Sequence, residues 1–282
     1  MSKILITGGT VFIGRALSAK LQVQGYDVII IGSGDGDIAC TDTLKKFIDS
    51  HISHVFHLAG KTYVPDSWAH PEEFFRTNVL GTTNILEYCK AHCLSMTFVS
   101  AYIYGHPETL PIKENSKIKP SNPYALSKRL AEEVCEFYAD VNGLDITVIR
   151  PFNVYGVGHD EKFLIPSIIR QALYEEKIVV QDLVPRRDYV FLEDLLVGLL
   201  ATLQCDKGYS VYNVGSGYSL SVREVIDIIQ EVAKTQKEIV SEKKVRSNEL
   251  MDVVADVSKA RQELGWQPQY SFREGIERMI NS

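Results

Sequence analysis

Tyr124 and Lys128 stand four residues apart, and Ser100 lies 24 residues upstream of the tyrosine. On a helix, residues at that spacing share one face. An ammonium beside a phenol stabilises the phenolate and draws its pKa from about 10 toward the range of a working general acid or base. A serine hydroxyl nearby can hydrogen-bond the same substrate oxygen that the tyrosine protonates or deprotonates. Together the three groups suit proton transfer to a ketone or alcohol oxygen while a hydride moves at the attached carbon. A tyrosine and a lysine at this spacing also occur on many solvated helices, so the meaning of the pair depends on the elements that position it.

Lys3-Ile4-Leu5-Ile6 reads as a short buried strand entering the turn Thr7-Gly8-Gly9. Apolar residues at Ala16, Leu17, Leu21 and Val23 predict a helix from Gly14 to Gln24, closed by Gly25, and Val28 to Ile31 predicts a second buried strand. Further strands are expected at Val55–Leu58, Met96–Val99 and Ile146–Ile149, with helices over 72–92 and 124–141 between them. All-apolar strands alternating with helices predict an α/β fold, a doubly wound parallel sheet of the Rossmann type. After Arg150 the rhythm breaks into short strands (Val179-Val180, Ile239-Val240) and helices over 165–175 and 222–233. The expected division is a dinucleotide-binding domain over 1–154, to which 188–214 returns, and a smaller carboxyl-terminal α/β substrate domain over 155–187 and 215–282.

Composition narrows the partners. The 282 residues carry 45% hydrophobic and 23% charged side chains and a net charge of −6, the balance of a globular chain with no basic excess for a nucleic acid or a membrane surface. The dense stretch Lys243-Lys244-Val245-Arg246 is followed by Glu249 and Asp252 and reads as local. The five cysteines are odd in number and scattered; Cys89 and Cys93 hint at a metal pair, but no second Cys or His pair has ligand spacing, so free thiols and no metal are expected. Met-Ser-Lys runs straight into a strand and no apolar run reaches about 18 residues, which predicts a cytoplasmic protein without a membrane span.

The segment Thr7 to Gly14 sits where a dinucleotide-binding turn belongs, between a first strand and a first helix. Gly8 can make the tight turn, Gly14 permits close helix–sheet packing, and the helix start around Thr10, Val11, Phe12 and Ile13 offers amide groups to a pyrophosphate. Asp35 or Asp37, after the second strand, can accept from an adenosine ribose, which favours NAD over NADP; no Arg or Lys follows the strand to receive a 2′-phosphate, though Arg15 in the first helix is available.

With these motifs in place, the chain resembles the extended short-chain dehydrogenase/reductase family of nucleotide-sugar epimerases, dehydratases and reductases, over nearly its whole length. The family pattern has a glycine where this chain has Val11, which costs close backbone approach and does not readily take a positive φ. Phe56-His57-Leu58-Ala59-Gly60 resembles the strand end over which the cofactor lies, and Asn78-Val79-Leu80-Gly81-Thr82 a helix motif whose Asn ties neighbouring strands. Phe98-Val99-Ser100 with Tyr104-Gly105, and Pro123-Tyr124 to Lys128, match the segments carrying the catalytic Ser, Tyr and Lys. Arg150-Pro151-Phe152-Asn153 resembles the segment that passes the cofactor at Pro151 and contacts a sugar-nucleotide diphosphate through Asn153; Arg187-Asp188-Tyr189-Val190 with Asp194, and Arg246-Ser247-Asn248-Glu249, resemble segments whose Arg187, Arg246 and Glu249 grip the nucleotide. The resemblance implies Thr62, Tyr63, Ala101 and Tyr102 at the sugar, an NDP-sugar substrate, and a homodimer formed through the helices near 72–92 and 124–141.

The residues beside Ser100 divide the reactions. Dehydratases of the family place an Asp-Glu pair there; this chain has Ala101 and Tyr102. The epimerase-reductases that make GDP-fucose use a Cys and a His, whose places hold Tyr102 and Phe163. Two readings remain: NAD(P)H-dependent reduction of the 4-keto group of an NDP-4-keto-6-deoxyhexose, with Tyr124 giving the proton, or NAD-dependent 4-epimerisation of a nucleotide sugar. The short link before His54, the run Lys61 to Trp68 and the Arg-Ser-Asn-Glu box resemble the reductases. A non-catalytic dinucleotide sensor on the same fold is a third reading, opposed by the intact Ser100, Tyr124 and Lys128.

Overall fold

The computed structural model describes residues 3–47, 51–205, 208–244 and 249–282. The chain opens with β1 (Lys3–Thr7), α1 (Phe12–Val23), β2 (Asp27–Ile31), the single-turn α2 (Thr41–Lys45) and β3 (Ile52–His57). It continues through α3 (Val64–Ala69), α4 (Pro71–Phe75), a π-helical turn over Arg76–Leu80, α5 (Gly81–His92), β4 (Ser95–Val99), the long α6 (Pro123–Asn142) and β5 (Ile146–Pro151). Then come β6 (Asn153–Tyr155), α7 (Leu164–Tyr174), β7 (Lys177–Val180), β8 (Arg186–Arg187), β9 (Tyr189–Phe191), α8 (Leu192–Ala201) and β10 (Tyr209–Val214). The last elements are β11 (Leu220–Ser221), α9 (Val222–Ala233), β12 (Glu238–Ser241), α10 (Ser258–Glu263) and α11 (Phe272–Ile280).

The expected doubly wound sheet is present. Six strands run in the order β10-β5-β4-β3-β1-β2, with β1 pairing β2 and β3, β3 pairing β4, and β4 pairing β5, all parallel. Order reverses at β1, so the cleft for a ligand lies at the carboxyl ends of β1 and its neighbours. β4 and β5 are buried almost throughout, as all-apolar central strands require. β2 differs from its expected burial: as the edge strand it is largely half-exposed. The single helix expected over 72–92 is interrupted by the π-turn, which carries the buried Asn78.

The chain divides into two compact units. The first holds 1–105, 118–150 and 198–212; the second holds 106–117, 151–197 and 213–282. These limits differ from the sequence-derived ones at 106–117, 151–154, 188–197 and 213–214, all of which belong to the second unit. Residues 106–117 join the second unit because Ile112 pairs with the stretch at Val254–Asp256. Residues 188–197 also stay there, because β9 pairs with β6. In the second unit α7, α9 and α11 pack Ile165, Ile168, Ile226, Ile229 and Ile276 around β7 and β9. Both α9 and α11 start with a capping box, Ser221 with Glu224 and Ser271 with Glu274.

Candidate functional site

The first strand delivers a backbone-tight turn. Gly8 has φ +72°, and a Cβ added there would lie 2.7 Å from the Ala59 amide nitrogen; one added at Gly14 would lie 2.1 Å from the Gly8 carbonyl oxygen. Only glycine fits either place, so β1, its turn, the start of α1 and the end of β3 are in main-chain contact. Val11 corrects the sequence reading. It is extended (φ −122°, ψ 160°), 65% exposed, and needs no positive φ. It stands at the N-cap of the 12-residue α1 and makes no side-chain cap, and a helix start of this kind can present amides to an anion. Thr10 beside it is exposed, Phe12 and Ile13 are half-buried, and a Cβ on Gly32 would strike the Thr10 side chain.

The two acidic candidates after β2 are engaged differently. The Asp35 carboxylate accepts from the Gly32 amide at 2.8 Å and closes its own loop. Asp37 accepts from Ala39 at 2.8 Å and forms an ion pair with Arg76, and these contacts hold its carboxyl below the usual range. Arg76 lies 39 residues downstream of Asp37 and is brought to it by the π-turn before α5. The sequence reading found no cation after β2; no local signal pointed to this one, because its neighbour is tertiary.

At the carboxyl ends of β3 and β4 the catalytic candidates converge. Asn122 caps α6 by accepting from Ala125 at 2.8 Å, with Pro123 at the first helical position, so Tyr124 and Lys128 fall in its first two turns. Lys128 is 3% exposed; its Nζ donates to the Val99 carbonyl at 2.7 Å and lies 4.4 Å from the Phe98 ring centroid. A Cβ on Gly60 would come within 3.7 Å of the same Nζ. The ammonium thus meets the residue before Ser100 and lies beside Gly60, whose neighbour Ala59 abuts Gly8 of the glycine turn. Tyr124 is half-buried, with its ring edge-on to Phe74 at 6.3 Å. Ser100 is 3% exposed, and its Oγ has no hydrogen-bond partner among the described residues. A buried hydroxyl of this kind costs free energy until a ligand or a water satisfies it.

Burial sets the resting protonation states. It lowers Lys128 to about 8, partly offset by the Glu132 carboxylate, and raises Tyr124 well above the usual phenol range. The spacing predicts that the lysine draws the tyrosine down; desolvation outweighs it here and favours the neutral phenol of Tyr124. Beside Ser100, Ala101 is buried and the Tyr102 hydroxyl donates to the Gly105 carbonyl, so neither offers a carboxylate. Thr62 is exposed and Tyr63 precedes α3 as its N-cap.

The remaining candidates belong to the second unit. Asn153 donates to the Asp188 carbonyl at 2.9 Å, and Arg187 is held by Glu249 and by the Leu250 carbonyl. A diphosphate taken by Arg187 would have to share that guanidinium with Glu249. Pro151 is buried. Arg246 lies outside the described residues. Asp188, fully buried, accepts from Ser216, Gly217 and Ala255 and ties three loops of the unit together.

A family model described as "Epimerase: NAD dependent epimerase/dehydratase family" matches residues 4–215. The chain belongs to this family. It is 30% identical over 292 residues to the GDP-6-deoxy-D-mannose reductase of Pseudomonas aeruginosa, covering 99% of this chain and 96% of that one. It is 32% identical over 300 residues to a putative UDP-glucose 4-epimerase of Methanocaldococcus jannaschii, covering 99% and 97%. Among solved structures, RMD from Pseudomonas aeruginosa complexed with NADPH superposes with a TM-score of 0.92 at 30% identity, over 100% of this chain and 98% of that one.

The family's dinucleotide fits the residues present. The glycine-tight turn, the uncapped start of α1 and the unsatisfied Ser100 hydroxyl form one edge of the first unit. Gly8, Thr10, Val11, Phe12, Ile13 and Gly14 would hold its pyrophosphate, Leu58, Ala59 and Gly60 would lie under it, and Tyr124 with Lys128 would face its reacting end. Both a GDP-6-deoxy-D-mannose reductase and a putative 4-epimerase match this chain over nearly its whole length, so the comparisons fit the reductase and the epimerase readings alike.

Proposed function

We propose that this chain reduces the 4-keto group of an NDP-4-keto-6-deoxyhexose with NAD(P)H. The observation that carries the reading is geometric: Lys128, one helical turn after Tyr124, is fastened to the carbonyl before Ser100, whose buried hydroxyl has no partner among the described residues, and residues 101 and 102 offer no carboxylate. Such a site is loaded to give one proton to a developing alkoxide. A bound nicotinamide supplies the hydride. Ser100 hydrogen-bonds the keto oxygen, Tyr124 protonates it, and the Lys128 ammonium stabilises the phenolate left behind. The first unit serves as the dinucleotide-binding domain; in the second, Asn153, Arg187, Arg246 and Glu249 take the nucleotide diphosphate.

The test is to mix the purified protein with GDP-4-keto-6-deoxymannose and NADH or NADPH and follow the cofactor absorbance. Stoichiometric loss of reduced cofactor with formation of the 6-deoxy sugar is expected. The second reading, 4-epimerisation, is supported by the 32% identical relative described as a putative UDP-glucose 4-epimerase. UDP-glucose turning into UDP-galactose with no net change in cofactor would establish it and reject the first.

The same reading includes a homodimer in the cytoplasm. α6 leaves Leu126, Phe137 and Val141 exposed along one face, at 41%, 57% and 63%. Apolar side chains repeated at helical spacing suit burial against a second copy, and a single species of twice the chain mass in sedimentation would bear this out. None of the five cysteines is joined in a disulfide, which suits a reducing compartment, and no helix among the described residues is long and apolar enough to cross a membrane.

A further inference from the structure

Two charges lie under the acid–base pair in positions the reaction described above does not use. Tyr124, Lys128 and Glu132 follow one another at four-residue spacing along α6, on one helical face. Glu132 is fully buried and Arg150, on β5, is 3% exposed. The guanidinium grips the carboxylate: Nε donates to Oε1 at 3.0 Å and Oε2 at 3.1 Å, and Nη2 donates to Oε2 at 2.6 Å. The remaining Nη1 donates to the Tyr104 hydroxyl at 2.8 Å, and the guanidinium carbon lies 5.1 Å from that ring's centroid. Tyr104 belongs to the loop that begins at Ser100, where its ring packs edge-on against Tyr102 at 5.6 Å.

A buried ion pair seldom stabilises a fold more than a well-packed apolar pair of the same volume. Its effect is best sought in what the carboxylate faces. One helical turn toward the amino end is Lys128, itself buried and attached to the carbonyl before Ser100. We propose that Glu132, fixed by Arg150, is a positioning residue for the reaction: its carboxylate keeps Lys128 in the ammonium form beside Tyr124. The proposal rests on the reading of Tyr124 and Lys128 as the acid–base pair. Arg150 serves by fixing the carboxylate, and Tyr104 joins that anchor to the serine loop.

The groups that face Lys128 are few. On α6 they are Tyr124, Glu132 and Cys135; on β3 there is His57; Arg150 on β5 acts through Glu132. His57 is held neutral, lowered to about 3 by burial and by Lys128, and Cys135 is pushed well above the ordinary thiol range by burial. Glu132 therefore supplies the negative charge in this shell. A carboxylate one helical turn from a desolvated amine is close enough to move its titration by about one unit.

The experiment reads the amine itself and needs no substrate. Protein carrying lysine labelled with 13C at Cε is titrated by NMR, and the Lys128 signal is assigned by its loss in Lys128→Arg. The wild-type midpoint is expected near 8. In Glu132→Gln it should fall by about one unit, and Glu132→Asp, which keeps the charge, should return it most of the way. Because Glu132→Gln strands a buried guanidinium, the double variant Glu132→Gln/Arg150→Met, which empties the site of both charges, is titrated beside it and should show a smaller fall in the same direction, since the cation leaves with the carboxylate. An unmoved midpoint in either folded variant would overturn the proposal. So would a failure of both to fold, because the pair would then be a requirement of the fold. Failure of the acid–base reading is distinct: it would appear as undiminished turnover in Tyr124→Phe, whatever the lysine titration shows.

Discussion

The Lys128 ammonium ends on the carbonyl of Val99, 2.7 Å away, so the second turn of α6 is fastened to the strand residue that immediately precedes Ser100. A helix side chain and a strand carbonyl 29 residues apart thereby fix the lysine and the serine hydroxyl in one frame. Tyr124, one turn before Lys128, is carried by the same helix.

Removing the Tyr124 hydroxyl should therefore remove the proton without loosening the site. The ring is wedged against Phe74 and its hydroxyl holds up no described neighbour. Tyr124→Phe is expected to lower kcat by about 10²- to 10⁴-fold, the range of a lost general acid, with NAD(P)H affinity within about threefold of wild type. Turnover assays and calorimetric cofactor titration check this. Undiminished kcat would remove Tyr124 from the chemistry.

The cofactor turn separates two residues that look alike in the sequence. Gly14→Ala drives a methyl into the Gly8 carbonyl, main chain against main chain, so the turn must open. Overpacking of this kind costs about 1–3 kcal/mol in stability, and the cofactor Kd should rise at least about tenfold. Val11→Gly, in contrast, restores the family's glycine at a position that is already extended and solvent-facing. Its cofactor affinity should stay within about twofold of wild type. A large gain in affinity for Val11→Gly would mean that the valine side chain itself blocks the pyrophosphate.

These two positions also show what could be read from the residues. The order of strands and helices, the glycine turn and the Tyr-Lys helix are local patterns, and period and spacing carry them. The conformation of Val11 is not local: an extended N-cap and a helix needing glycine differ in φ, which composition does not report. Arg76 beside Asp37 and Arg150 beside Glu132 are pairs 39 and 18 residues apart that exist only once the sheet is assembled. The assignment of 106–117 and 188–197 to the second unit rests on pairing with Val254–Asp256 and with β6, which no nearby residue announces. The capping boxes of α9 and α11, by comparison, were present as Ser-x-x-Glu in plain sequence.

Two buried histidines make stability depend on pH. His54 lies between the hydroxyls of Ser95 and Thr97 at 2.7 and 2.9 Å, and His57 between those of Thr7 and Thr82 at 2.7 and 3.0 Å. Burial lowers both to about 3, against about 6.5 in an unfolded chain. Between those values the unfolded chain binds the extra protons. Their contribution to stability is complete above about pH 6.5 and is lost as pH falls toward 3, at about 1.4 kcal/mol per pH unit for each histidine. Denaturant melts between pH 6.5 and 4.5 should show this slope, and His54→Gln should reduce it by about one proton. A slope unchanged in that variant would place the acid sensitivity elsewhere.

The second unit offers a test of a different kind, at Asp188. Its Oδ1 accepts from the Ser216 amide at 2.6 Å and hydroxyl at 2.7 Å, and its Oδ2 accepts from the Gly217 and Ala255 amides, both at 3.0 Å. Burial raises its pKa while these donors oppose the rise, so the donors are what make a fully buried carboxylate tolerable. Asp188→Asn keeps the shape but turns one acceptor into an NH₂ that must face two N–H donors. Leaving such groups unsatisfied costs about 1–3 kcal/mol for a single site, and more where the lost partner is charged. The variant is expected to lose at least about 2 kcal/mol in denaturant unfolding, with cofactor affinity on the first unit within about twofold of wild type. Asp188→Asn melting like wild type would show that the three loops are held by packing alone, and that the carboxylate is free for a part in binding.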